Sequence, residues 1–126
     1  MQKQTQNVRI LVVGCGNMGS SHAMAYHTIE GFEICGLVSR GKSKEILNAK
    51  LDNSYPLFTD IDEAIKATRP DAVCISTYPD THESFAIKAF ENGCHVFLEK
   101  PLADSVEASE RIVAMAKKAN KKLVVG

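Results

Sequence analysis

The sequence carries no excess charge of either sign: fifteen lysines and arginines balance fifteen aspartates and glutamates. That balance supplies no field to draw the chain to nucleic acid or to an anionic membrane, so neither is expected as a partner. No apolar run approaches the roughly 20 residues that cross a bilayer. The opening stretch Met1–Asn7 lacks the apolar core of a signal peptide and reads as a frayed, disordered tail over residues 1–7. Cys15, Cys35, Cys74 and Cys94 make no Cys-x-x-Cys pair, and the histidines make no His-Glu-x-x-His pattern. No metal site is therefore expected. The thiols are expected to be buried and reduced, which suits a cytoplasmic setting.

What is present is a regular alternation. At 126 residues the chain fits one domain, able to bury about two-thirds of its unfolded surface. Continuous apolar runs fall at 8–13 (broken only by Arg9), 34–38, 72–77, 95–98 and 123–125, with a weak sixth at Leu57-Phe58. Continuous rather than alternating apolarity suits strands buried on both faces. Between them lie amphipathic stretches. Phe85, Ala86, Ala89 and Phe90 share one helical face, as do Val106, Ser109, Ile112, Val113 and Ala116. The pairs Asp60/Glu63, Asp80/Glu83 and Asp104/Glu107 each have capping-box spacing, and Gly93 after Asn92 marks a helix end. The order β-α-β-α-β-α-β-α-β-α-β predicts an α/β fold: a doubly wound, mostly parallel six-stranded sheet over 8–126.

Gly14, Gly16 and Gly19 have the spacing G-x-G-x-x-G, directly after the first run and before the first helical stretch. In that context the pattern is the fingerprint of a Rossmann dinucleotide-binding fold. Gly14 makes the turn, Gly16 admits the pyrophosphate and Gly19 lets the helix pack. The N–H groups of Asn17, Met18 and their neighbours are expected to point at the phosphates. A ligand-free glycine turn and an S-adenosylmethionine site are the alternatives.

An acid that holds the adenosine ribose of NAD stands about 20 residues beyond such a loop. Here Ser39 and Arg40 occupy that place, followed by Lys42 and Lys44. Arg40 can grip a 2′-phosphate with a fork of donors and Ser39 can add a hydrogen bond, so NADP is favoured, with NAD possible. A solvated basic turn is the plain alternative. The third and fourth long runs end in Ser76-Thr77-Tyr78-Pro79-Asp80-Thr81-His82 and Leu98-Glu99-Lys100-Pro101-Leu102, at the sheet edge where such folds bind ligands. A lysine directly after a buried strand needs solvent or a partner for its ammonium.

These segments, with Ala86 to His95, make residues 8–126 resemble the N-terminal domain of the glucose–fructose oxidoreductase, inositol dehydrogenase and rhizopine-catabolism (Gfo/Idh/MocA) family. Glu99-Lys100-Pro101 matches its EKP signature. The resemblance implies that Lys100 acts catalytically beside the nicotinamide and the substrate. It also implies that Thr77, Tyr78, Pro79, His82, Glu99 and Lys100 line the cofactor. The substrate implied is a sugar, inositol or related hydroxyl or carbonyl compound. The family loop often reads Thr-Pro-Asn; Tyr78 before Pro79 and Asp80 for Asn depart from it. A C-terminal domain carrying acid/base residues and a homo-oligomer interface is implied and is absent from these residues, so this chain alone is expected to be inactive. A non-catalytic NAD(P) sensor is the competing class. Retention of Lys100 argues for the enzyme.

Overall fold

The computed structural model describes residues 7–126. Of the expected tail over 1–7, residues 1–6 lie outside the described residues, and Asn7 is exposed and in no element. The order is β1 (Val8–Val13), α1 (Asn17–Thr28), β2 (Phe32–Val38), α2 (Ser43–Lys50), β3 (Leu57–Phe58), α3 (Ile61–Thr68), β4 (Ala72–Ile75), α4 (Pro79–Glu91), β5 (His95–Leu98), α5 (Val106–Ala119) and β6 (Leu123–Val125). The strands lie in the order β3-β2-β1-β4-β5-β6. Every pairing is parallel, so the sheet is parallel throughout rather than mostly so.

Continuous apolarity follows from two covered faces. On one, Ala23 of α1 and Leu47 of α2 pack with Ile10, Val12, Ile34 and Leu37. On the other, Ile61 and Ile65 of α3, Ala89 and Phe90 of α4 and Ile112 of α5 pack with Leu11, Val13, Val73 and Leu98. Leu11 and Leu98 are fully buried, each contributing about 1.5–3 kcal/mol of transfer free energy. Arg9, the break in the first run, works at the opposite end from the glycine loop. Its guanidinium donates to the Thr68 and Arg69 carbonyls at the C-terminus of α3, where a cation offsets the helix dipole.

Five details differ from the sequence reading. β2 begins at Phe32 and β4 stops at Ile75, leaving Ser76 and Thr77 in a loop. Of the three expected capping Asp residues, only Asp60 caps, accepting from the Glu63 N–H at 3.2 Å. Pro79 takes the first position of α4 and makes Tyr78 its N-cap, so Asp80 lies inside the first turn. Ser105 rather than Asp104 caps α5, accepting from the Ala108 N–H. The buried face of α5 is Ala108, Ile112 and Ala116, while Val106 and Val113 face solvent at 70% and 36% exposure. Gly93, at φ +75°, ends α4 as expected.

Candidate functional site

The strand order reverses direction between β1 and β4, and a crevice opens there at the carboxyl ends. Gly14 turns the chain out of β1 at φ +98°, and its N–H donates to the Val38 carbonyl at 2.9 Å. A Cβ on Gly14 would lie 2.7 Å from the Ser76 oxygen; one on Gly19 would lie 1.8 Å from the Gly14 oxygen. These two glycines therefore hold loop, helix and neighbouring strand at backbone contact. Gly16 is different: a Cβ there would meet nothing within 4 Å, and the residue lines the crevice. It is the N-cap of α1, with no side-chain cap and no acid in the first turn. The first N–H groups of the helix thus lack helical partners and carry the positive end of the dipole. Asn17 and Met18 have exposed side chains outside the crevice lining, which leaves their backbone N–H groups at the helix start.

The crevice has a volume of about 590 Å³, within the range of small-molecule sites. At one end stand Ser39, Arg40, Gly41 and Ser43. The Ser39 hydroxyl donates to the Gly41 carbonyl at 2.9 Å and accepts from the Lys44 N–H. Its proton lies on the turn, with the hydroxyl at the crevice end. Lys44 is also turned inward, its ammonium 2.7 Å from the Gly41 carbonyl. Arg40 is exposed and free to extend. The other end is walled by Thr77, Tyr78, Thr81 and Phe85. Thr81 Oγ1 donates to the Tyr78 carbonyl at 2.6 Å and accepts from Thr77 Oγ1 at 2.5 Å, which stiffens this wall. Pro79 sets the helix start behind it.

His82 does not reach the crevice. It is fully buried, with Nδ1 3.0 Å from the Pro101 carbonyl and Nε2 2.9 Å from the Thr77 carbonyl. The ring thus joins two loops. Glu99 is turned toward α1. Its carboxylate sits 2.7 Å from His22 Nε2 on α1, and the His22 ring stands edge-on to Phe97. Lys100 is exposed at the end of β5, outside the crevice lining, with no hydrogen bond or ion pair among the described residues.

The sequence reading missed Ser43, Thr59, Asp60, Thr81, Phe85 and Lys88 in the lining. Thr81 alone carried a signal, in the first turn of α4 four residues after Thr77. Lys88 is paired with Asp62 at 2.9 Å. All four cysteines are buried, and burial pushes the thiols of Cys15, Cys74 and Cys94 up to about 11. Among the described residues, no three His, Cys, Asp or Glu side chains cluster to hold a metal, and no helix is long and apolar enough to cross a membrane.

A bare helix N-terminus, a glycine-tightened loop and a crevice at the sheet's switch point define a dinucleotide-binding Rossmann domain. The sequence model of the Gfo/Idh/MocA oxidoreductase family, described by its NAD-binding Rossmann fold, matches residues 8–126. The chain belongs to that family. Inositol 2-dehydrogenase of Corynebacterium glutamicum (strain R) is 31% identical over 118 residues, 93% of this chain and 35% of that protein. Glycosyl hydrolase family 109 protein 1 of Akkermansia muciniphila is 29% identical over 123 residues, 90% of this chain and 26% of that protein. A crystal structure of scyllo-inositol dehydrogenase from Lactobacillus casei with NAD(H) and scyllo-inositol has a TM-score of 0.88 at 27% identity, covering 96% of this chain and 36% of that one. The chain thus spans about a third of the length of these dehydrogenases.

Proposed function

We propose that this chain is the cofactor-binding part of an oxidoreductase that moves a hydride between NAD(P) and a hydroxyl or carbonyl of an inositol, sugar or related polyol. The observation that carries this reading is the uncapped N-terminus of α1 facing a crevice in which Gly16 leaves open space. Phosphate oxygens suit such a place, because backbone N–H groups and the helix dipole both favour negative charge. The dehydrogenases among the relatives support the reaction class.

When bound, the nicotinamide supplies the hydride chemistry. The chain supplies placement. Gly14, Gly16 and Gly19 let the backbone of Asn17 and Met18 approach the pyrophosphate. Arg40 receives the adenosine end; its free guanidinium favours a 2′-phosphate, hence NADP over NAD. Thr77 and Tyr78 wall the opposite end, with Pro79 behind them. Lys100, unpaired at the sheet edge, is the residue left to hold or move a proton at the reacting oxygen. Glu99 stands beside it. A C-terminal domain bearing the substrate site and a homo-oligomer interface, and a cytoplasmic location, belong to the same proposal.

The test is titration of the chain with NADPH and with NADH, followed through nicotinamide fluorescence. Saturable binding, tighter for NADPH, is the expected result. Binding of S-adenosylmethionine with neither nucleotide competing would overturn the reading.

A further inference from the structure

His82 is fully buried, unlike the other three histidines, and the roles assigned above leave it without a task. Its surroundings are unusual. Nε2 lies 2.9 Å from the Thr77 carbonyl; Nδ1 lies 3.0 Å from the Pro101 carbonyl and 3.3 Å from that of Leu102. Carbonyl oxygens only accept, so the ring acts as a donor between two loops.

The two loops matter differently. Thr77 lines the crevice, and its methyl group lies against Gly14, where a Cβ would stand 3.2 Å away. Pro101 follows Lys100 directly. Upstream, Lys100 is fixed by the sheet, since the Glu99 N–H donates to the Ile75 carbonyl at 2.9 Å. Downstream, the carbonyls after Lys100 rest on His82. A continuous path of backbone and ring therefore runs from the glycine loop through Thr77 and His82 to the lysine's own turn.

We infer that His82 is a positioning residue that couples occupancy of the crevice to the placement of Lys100. This rests on the reading of the crevice as a dinucleotide site. A ligand that presses on Thr77 shifts the acceptor on Nε2, and the ring passes that shift to the Pro101 and Leu102 carbonyls.

The test compares amide hydrogen exchange in the wild-type chain and in His82→Asn and His82→Gln, each with and without saturating NADPH or NADH. Asn places its donor near the Nδ1 position and Gln near the Nε2 position, so each keeps one tie and loses the other. Circular dichroism checks that each variant is folded. In wild type, nucleotide should slow exchange at Thr77 and Tyr78 and also at Lys100 and Leu102, by about five- to tenfold, the effect of one hydrogen bond. In the variants the slowing should persist at 77–78 and vanish at 100 and 102. A residue that merely supports the fold would loosen both segments equally, with or without nucleotide. Nucleotide binding that leaves 100 and 102 unchanged in wild type, or slows them equally in the variants, overturns the coupling alone. Absence of nucleotide binding by wild type overturns the cofactor reading and the coupling with it.

Discussion

One methyl group, added at either of two glycines in the same loop, should separate folding from binding. At Gly19 the new carbon would sit 1.8 Å from the Gly14 oxygen and 2.7 Å from its carbon. A carbon–oxygen contact settles near 3.3 Å, so α1 must retreat from the loop by about 1.5 Å. Both neighbours are backbone and cannot rotate away. Overpacking of this kind costs about 3 kcal/mol, and better helix propensity returns about 1 kcal/mol. Gly19→Ala should therefore lose about 2 kcal/mol, or about 8 °C in Tm for a domain of this size. Gly16 has φ −76°, which alanine adopts freely, and no atom within reach of its Cβ. Gly16→Ala should stay within about 0.5 kcal/mol of wild type in stability. Its methyl group fills the open space of the crevice, however, and should push a phosphate off one helix N–H. Loss of one charge-assisted hydrogen bond is about 1.5–3 kcal/mol, or roughly ten- to a hundredfold in nucleotide affinity. Urea unfolding followed by circular dichroism, with nucleotide titration on the same samples, reads both. A stable Gly19→Ala, or a Gly16→Ala that binds like wild type, would refute the argument.

Three further outcomes are expected. Arg40→Ala should weaken NADPH by about 1–3 kcal/mol and leave NADH unchanged; an equal loss for both would reject the 2′-phosphate role. Asp60→Ala should cost about 1 kcal/mol by removing the cap of α3, while Asp80→Ala, which caps nothing, should cost under about 0.5 kcal/mol in the same urea titration. The thiols of Cys15, Cys74 and Cys94 are raised from 9.0 to about 11 by desolvation on burial, so the folded chain keeps protons that the unfolded chain releases. Their contribution is whole below pH 9 and declines as pH rises toward about 11. The urea midpoint should accordingly fall between about pH 9 and about pH 11, and a flat profile would count against it.

The fold was legible because a parallel sheet leaves a simple trace: strands covered on both faces cannot alternate, so apolar runs stand out. Even the two-residue β3 was visible as Leu57-Phe58. The phase of α5 was not, because its apolar residues surround the helix. Val113 and Ile112 are neighbours in sequence, and only packing against α4 and the core of that sheet face decides which turns inward. Caps slipped where a competing residue stood beside the Asp: Pro79 presets the first turn of α4, and Ser105 offers the shorter side chain for α5. In the site, the glycines were readable because each answers a backbone constraint. Ser39 and Lys44 bond within their own turn, whereas His82 and Glu99 have side chains committed to partners that no local spacing encodes. The partners of His82 come from five residues before and about twenty after it, and that of Glu99 from α1.

β1 pairs on one side with β2, its neighbour in sequence, and on the other with the distant β4, Ile10 lying beside Ala72. Closing that seam restricts a long stretch of chain before any contact across it forms, so it is expected late in folding. The seam is also the floor of the crevice, where Gly14 meets Ser76. A dinucleotide held by Gly16 and Arg40 on one side and by Thr77 and Tyr78 on the other would touch both halves of the sheet. It would act as a clasp on the last contact made, favouring the closed seam by mass action. In a cell, the supply of nucleotide would then govern how long this domain survives proteolysis as well as whether it can react.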